Sequence, residues 1–189
     1  MARKASYPIA DIFIKRWSSR ALSDKPITTE ELMPLFEAAR WAPSAYNEQP
    51  WRFVYTHRET KLWHELLATL IPVNQSWAKN SAVLIVVLSK NLFDKTGEQS
   101  QWHSFDVGAA WMSLALQASL NKLIVHAMGG FDYDKVKEIL HVPSEFNVEI
   151  MMAVGKPGKK ESLPPELQAR EMPNDRKPLS EIVFEGGGF

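Results

Sequence analysis

The sequence predicts an α+β fold. Residues 82–88 form an unbroken apolar run rich in Val and Ile, which is typical of a strand buried on both faces. Leu32, Leu35, Phe36 and Ala39 instead recur at the spacing of one buried helix face. Strands and helices of these kinds follow one another without regular βα alternation, and this irregular order favours α+β over a doubly wound parallel sheet.

The first two helices are predicted from apolar spacing and a cap. A short helix over residues 9–17 is expected to place residues 16–20 near its end. Residues 28–31 (TTEE) have capping-box form at the start of the second helix. Pro34 lies beyond the first turn of that helix, so we expect it to remove one backbone hydrogen bond and bend the helix, or to mark a later start.

The later elements follow in chain order. We predict strands at residues 51–56, 82–88, 123–127 and 148–154, and helices at 61–70, at 104–120 and, capped near Asp132, up to 140. The helix at 104–120 is apolar almost all round, so we expect a second subunit to cover one side of it. Residues 156–177, rich in Pro and charge, predict a long surface excursion, and residues 182–184 predict an edge strand that can join a partner's sheet.

Length and composition exclude several classes of protein. A chain of 189 residues predicts one domain over residues 1–189, and its 22 basic and 22 acidic residues give no net field that favours nucleic acid. The chain has no Cys, no signal-peptide-like start and no apolar run long enough to cross a bilayer, so we expect a cytoplasmic protein without membrane contact.

Common catalytic motifs are also missing. The five His residues show no metal-ligand spacing, so no metal site is predicted. The sequence contains no P-loop, no GxGxxG and no GxSxG, which argues against a nucleotide-binding glycine loop and against a Ser hydrolase. We assign no catalytic side chain.

Two polar clusters and a glycine pair indicate a ligand site. Residues 16–20 (RWSSR) supply the positive charge and the donors that a phosphate monoester needs. Residues 43–50 (PSAYNEQP), named here the 43–50 turn, offer a hydroxyl and carboxamides on a backbone restricted by two prolines. Gly129 and Gly130 follow a predicted strand, where backbone without Cβ atoms can approach a planar ligand. Together these features suggest a flat polar ring with a phosphate tail.

These motifs, in this order, resemble the FMN-dependent nitroreductase family. They are residues 16–20, residues 42–51 (APSAYNEQPW), residues 128–131 (MGGF) and residues 176–179 (RKPL), and they extend over nearly the whole chain. The resemblance implies an α/β sandwich with a central, mostly antiparallel sheet. It also implies an obligate homodimer with exchanged C-terminal strands and two FMN sites at the subunit interface.

The resemblance further implies which residues bind the cofactor. Arg16, Ser18, Arg20 and Arg176 hold the phosphate and the pyrimidine edge, the 43–50 turn comes from the other subunit, and one backbone N–H near Gly129 points at flavin N5. The full implied set is Arg16, Trp17, Ser18, Arg20, Pro43, Ser44, Ala45, Asn47, Gln49, Asn74, Met128, Gly129, Gly130 and Arg176. Three positions depart from the family pattern: Trp17 replaces Arg or His, Asn174 replaces a basic residue of some members, and Gly129 replaces a frequent acid.

The implied activity is an FMN-dependent NAD(P)H oxidoreductase. It passes hydride from NAD(P)H through flavin N5 to a nitroaromatic, quinone or similar small acceptor by a ping-pong mechanism, and the cofactor supplies the chemistry. Three alternatives remain open: a relative specialised for semialdehyde reduction, dehalogenation or flavin breakdown, a flavin-binding or sensory protein without turnover, and a structural dimer without a ligand. Preference between NADH and NADPH does not follow from the residues.

Overall fold

The computed structural model describes residues 3–187. Apart from the helices at Pro72–Ala78 and Pro165–Gln168, which the sequence did not predict, its helices and strands lie close to the predicted positions, with shifts of a few residues at their ends. The helices are α1 (Asp11–Lys15), α2 (Thr29–Arg40), α3 (Lys61–Thr69), α4 (Pro72–Ala78), α5 (His103–Leu120), α6 (Tyr133–Leu140) and α7 (Pro165–Gln168). The strands are β1 (Trp51–His57), β2 (Val83–Lys90), β3 (Ile124–Met128) and β4 (Phe146–Gly155).

The four strands form one sheet in the order β1-β2-β4-β3, and every neighbouring pair is antiparallel. The predicted α+β class and antiparallel sheet are therefore confirmed. Strand β2 is central, and residues 83–89 are all buried, as its unbroken apolar sequence predicts.

Helices cover both faces of the sheet. On one face, Leu84 and Met151 pack in a cluster that includes Trp63 of α3, Trp77 of α4 and Val136 of α6. On the other face, the cluster contains residues of α2 and α5 together with the sheet residues Val83, Ile85, Val87, Met152 and Val154. Alternate side chains of β2 thus enter opposite clusters, which follows from the two-residue period of a strand.

Helix α2 begins where its cap predicts. The Thr28 side chain accepts a hydrogen bond from the backbone N–H of Glu31, and the Glu31 carboxylate accepts one from the backbone N–H of Thr28. This capping box starts the helix at Thr29, and the helix continues through Pro34. The alternative of a later start after Pro34 was wrong, because the cap already satisfies the first turn.

Helix α5 is only partly covered within one chain. Its buried residues, among them Val107, Ala110 and Leu114, face the sheet and α2, whereas Phe105 is 79% exposed and Leu120 is 62% exposed. The sequence of α5 predicts a helix that is buried on every side, and this burial is incomplete in a single chain. No helix within residues 3–187 has the length and apolar character needed to cross a membrane.

The C-terminal segment differs from its prediction. Residues 182–184 form no strand in the single chain, and they follow a one-turn 3₁₀ helix at Leu179–Glu181. Ile182 and Val183 are 55% and 64% exposed. The predicted edge strand is therefore not formed within the single chain, and its addition to a partner's sheet stays a prediction.

Candidate functional site

The predicted phosphate residues meet in one cavity of about 590 Å³. We call it the arginine cavity. It joins the loop after α1, strand β3 and the segment after α7, and it contains predicted residues as well as polar and charged residues outside the predicted set. The predicted ones are Arg16, Trp17, Ser18, Arg20 and Arg176, and the others include Arg3, His126, Arg170 and Asn174.

Positive charge is concentrated in the arginine cavity without an internal counterion. Within residues 3–187, none of its five arginines forms a salt bridge, and the guanidiniums of Arg20 and Arg170 have no hydrogen-bond partner. Burial, and then repulsion from Arg3 and Arg176, lowers the pKa of Arg16. Because an anion would relieve this repulsion and supply acceptors for the free donors, the cavity is suited to bind a phosphate.

Arg3 ties three segments together at the edge of this cavity. Its Nη1 donates to the carbonyl oxygens of Ile14 and Arg16 at 3.0 and 2.9 Å, and its Nε donates to the Asn174 carbonyl at 2.7 Å. Its Nη2 reaches the Asn174 side-chain oxygen at 3.2 Å. The basic charge that some members of the family carry at position 174 is therefore supplied beside Asn174 by Arg3 of the N-terminal segment.

His126 of β3 lies behind the loop at residues 16–20. Its Nδ1 is 3.1 Å from the Ser19 carbonyl oxygen, and its ring centroid is 4.6 Å from that of Trp77. Burial lowers the pKa of His126 to about 4, so the ring is neutral near pH 7 and Nδ1 carries the proton donated to Ser19. A neutral ring leaves the positive charge of the cavity to the arginines.

The 43–50 turn has an unusual backbone. Its centre is a 3₁₀ turn at Ala45–Asn47, and three non-glycine residues, Tyr46, Asn47 and Gln49, have positive φ angles of 53°, 58° and 50°. Each such residue costs about 1 kcal/mol or more, and residues held in this way cluster at functional sites. The Ser44 hydroxyl stabilises the turn by accepting a hydrogen bond from the Gln49 N–H at 3.0 Å.

Asp106 holds this turn against α5. Its carboxylate accepts a hydrogen bond from the Ala45 N–H at 3.0 Å, and the residue is only 4% exposed. Sequence analysis missed this role, although a carboxylate within an otherwise apolar helix is a signal that it has a buried partner.

The structure does not bring the 43–50 turn to the arginine cavity of the same chain. No residue of the turn lines that cavity, and Tyr46 and Glu48 instead border a separate one of about 730 Å³ with Phe93 and Trp102. Asn47 is exposed. Within a single chain, the predicted site is therefore divided into two parts.

The third predicted group lies at the end of β3. Met128 is the last strand residue and is buried, and Gly129 and Gly130 follow it. At a strand rise of about 3.3 Å per residue, Gly129 lies about 10 Å along the chain from His126 in the arginine cavity. This spacing allows one elongated ligand to reach from the arginines to the glycine pair.

The surroundings of Gly129 and Gly130 differ. A Cβ at Gly130 would lie 2.6 Å from Ile71 Cδ1 and 2.9 Å from Asn74 Nδ2, whereas a Cβ at Gly129 would meet only the Tyr133 hydroxyl at 3.7 Å. The Gly130 carbonyl also accepts hydrogen bonds from the Ile71 N–H and the Asn74 side chain, at 3.0 and 3.1 Å. Packing against the start of α4 thus explains Gly130 and fixes Asn74, while Gly129 is exposed and has space beside its Cα atom.

Comparisons with known proteins identify the family of this chain. Residues 14–156, more than half of the chain, match the model of the Nitroreductase family. MhqN of Bacillus subtilis, which carries a provisional NAD(P)H nitroreductase name, is 26% identical over 204 residues that cover 89% of this chain and 94% of MhqN.

Solved structures share the fold. One described as an oxidoreductase containing FMN is 43% identical and superposes with a TM-score of 0.94 over 98% of this chain and 95% of its own. A provisionally named nitroreductase of Desulfovibrio desulfuricans, solved in complex with FMN, is 22% identical with a TM-score of 0.75 over 97% of this chain and 99% of its own. At that identity the second likeness supports the fold alone.

Proposed function

The chain belongs to the nitroreductase family, and from this premise we propose that it is an FMN-dependent NAD(P)H oxidoreductase that reduces a small nitroaromatic, quinone or similar acceptor. The observation that carries the proposal is the arginine cavity. Five guanidiniums converge there without a carboxylate in salt-bridge distance among residues 3–187, so the site has the charge and the donors for a phosphate monoester.

Arg16, Arg20 and Arg176 are proposed to hold the phosphate of the cofactor and the pyrimidine edge of its flavin ring. Arg16 Nη1 donates to the Ser18 hydroxyl at 3.3 Å, an arrangement that fixes both side chains at the cavity wall. FMN held by these residues would supply hydride transfer between NAD(P)H and the acceptor, in two half-reactions. The side chains bind and orient, and no protein nucleophile is required.

We propose that a second copy of the chain completes the site. The 43–50 turn lies apart from the arginine cavity of its own chain, with Asn47 exposed, and it can therefore serve the cavity of a partner. Two exposed apolar regions support a homodimer: the outer face of α5, with Phe105, and the C-terminal residues Ile182 and Val183, which can add to the partner's sheet.

The ring is proposed to lie along Met128, Gly129 and Gly130. Gly129 is exposed and has no side chain, so its backbone N–H can approach a planar ring closely. Pro43, Ser44, Ala45, Asn47 and Gln49 of a partner would contact the ribityl chain and the ring from the other side, and Trp17 would contribute backbone groups. Asn74 is held by Gly130, and its carboxamide oxygen is available for the pyrimidine edge.

A visible absorption spectrum of the purified full-length protein tests this function. We expect a bound flavin whose absorbance bleaches on anaerobic addition of NADH or NADPH and returns with a nitroaromatic or a quinone. A colourless protein that also fails to take up added FMN would overturn the proposal. Tight FMN binding without bleaching by either nucleotide would instead indicate a flavin-binding protein without turnover.

A further inference from the structure

Glu171 is a buried carboxylate placed directly behind the loop at residues 16–20. It is 8% exposed and lies in the segment after α7, more than 150 positions from that loop in the sequence. Its Oε1 accepts hydrogen bonds from the Ser19 hydroxyl at 2.5 Å and from the backbone N–H groups of Arg20 and Ala21, both at 3.0 Å. Its Oε2 lies 3.2 Å from the same Arg20 N–H.

These bonds fix the loop from one side, and His126 fixes it from the other. Glu171 binds the hydroxyl of Ser19 while His126 contacts the carbonyl oxygen of Ser19. The neighbours of Glu171 in the sequence, Arg170 and Met172, both line the arginine cavity. One carboxylate therefore joins the two segments that contribute most of the arginines of this cavity.

The charge of Glu171 would by itself oppose an anion in this cavity, because like charges repel. Its effect must therefore come through the groups that it holds. A buried N–H that loses its acceptor carries a full desolvation penalty. The hydrogen bonds from the Arg20 and Ala21 N–H groups to this carboxylate are therefore costly to break.

We propose that Glu171 is a positioning residue of the cofactor site, which holds the backbone at Ser19, Arg20 and Ala21 so that the neighbouring arginines face the phosphate. The inference rests on the proposed binding of FMN. It adds Glu171, which is not among the residues that the family resemblance implies. It assigns to Glu171 the selectivity for a flavin that carries a phosphate over one that does not.

The test compares FMN with riboflavin, which has the same ring and ribityl chain without the phosphate. Glu171→Gln keeps the shape of the side chain but turns one acceptor into an NH₂ donor, which conflicts with the N–H of Arg20 or Ala21. We expect the dissociation constant of FMN to rise at least about tenfold and that of riboflavin to change by less than about threefold. Glu166→Gln, the same change at an exposed position of α7, is the matched control and should leave both constants unchanged.

A milder variant protects the test against misfolding. Ser19→Ala removes the hydroxyl, which donates to Glu171 and accepts from the Ala21 N–H, but it keeps the carboxylate with both backbone N–H groups, so a smaller loss confined to FMN is expected. Equal losses for FMN and riboflavin, or unchanged FMN affinity in both variants, would overturn the positioning role. Failure of the wild-type protein to bind FMN would instead overturn the proposed function, so the two failures are distinguishable.

Discussion

The arginine cavity and the 43–50 turn are both predicted to bind the same ligand, yet they are built in opposite ways. The cavity collects residues from position 3 to position 176 of one chain, and its strain is electrostatic, because burial and then repulsion from Arg3 and Arg176 lower the pKa of Arg16. The turn is a local segment, and its strain lies in the backbone, at three residues with positive φ. The proposed phosphate site is thus assembled within one chain, whereas the turn lies outside the arginine cavity of that chain.

This difference predicts that the two regions contribute to flavin binding in different ways. Substitutions of Arg16 and Arg176 should act on the phosphate and spare the ring, while substitutions that loosen the turn should act on every flavin alike. Long-range repulsion and local strain are each tolerated when a ligand or a partner compensates for them. The experiments below test whether the two regions separate in this way.

The largest effect is expected from removing two cavity arginines. In Arg16→Ala/Arg176→Ala, two charge-assisted contacts of about 1.5–3 kcal/mol each are lost, so the dissociation constant of FMN should rise at least about 100-fold. Isothermal titration of apoprotein with FMN and with riboflavin measures the change, and riboflavin should be much less affected.

A double variant with the same loss of charge is the control for this experiment. Arg58→Ala/Lys61→Ala removes two cations near the start of α3, and neither lines the arginine cavity. We expect FMN affinity close to that of the wild type. If the control weakened FMN binding as much as the cavity variant, general charge would explain the effect, and the phosphate would be misplaced.

Much of the fold could be predicted because its signals are local. The apolar run of β2, the capping box at Thr28 and Glu31, and the cap at Asp132 each specify an element within a few residues. Arg16 and Arg176 could be paired only through the family resemblance, since no local pattern connects positions 160 residues apart. The structure supports that pairing by placing both in one cavity.

The residues that sequence analysis missed act through distant partners. Arg3 contacts Asn174, Glu171 contacts Ser19, and His126 contacts Ser19 across 107 positions. A His in a strand and a Glu in a polar segment both have ordinary solvent-facing explanations, so neither attracts attention in the sequence. The C-terminal residues 182–184 were predicted as a strand from their apolar character, but they form no strand in the single chain.

The turn is tested by Asp106→Asn. In one rotamer the Asn amide places its NH₂ against the Ala45 N–H, so that two donors face each other. In the other rotamer its oxygen accepts the hydrogen bond, but more weakly than the carboxylate does. We therefore expect the free energy of unfolding of the apoprotein to fall by about 1–3 kcal/mol. Affinities for FMN and riboflavin should fall by the same factor, unlike the result for the arginines. Urea denaturation and the two flavin titrations check both expectations.

Asp134→Asn is a matched control for that variant. Asp134 also lies in the first turn of a helix, α6, but it is exposed. We expect little change in stability or in either affinity. A loss at Asp106 confined to FMN would contradict the division between phosphate and ring, because it would mean that the turn acts on the phosphate after all.

The smallest expected effect is a pH dependence of folding stability that arises from His126 in the arginine cavity. Burial lowers the pKa of His126 from 6.5 to about 4, with the nearby charge of Arg20 acting in the same direction and that of Glu171 opposing it. Between these two values the unfolded chain binds a proton that the folded chain does not, so stability falls as the pH falls from about 6.5 towards 4. From pH 7 to pH 5 the loss from this group is about 2 kcal/mol.

His126→Asn isolates this contribution, because the Asn side-chain NH₂ can still donate to the Ser19 carbonyl but does not titrate. We expect urea denaturation of the apoprotein at pH 7 and pH 5 to show a smaller loss of stability in this variant, by about 2 kcal/mol, than in the wild type. His64→Asn, at an exposed position of α3, should keep the wild-type pH dependence. An unchanged pH dependence in His126→Asn would mean that the ring is already charged or solvated, and the neutral support behind Ser19 would have to be abandoned.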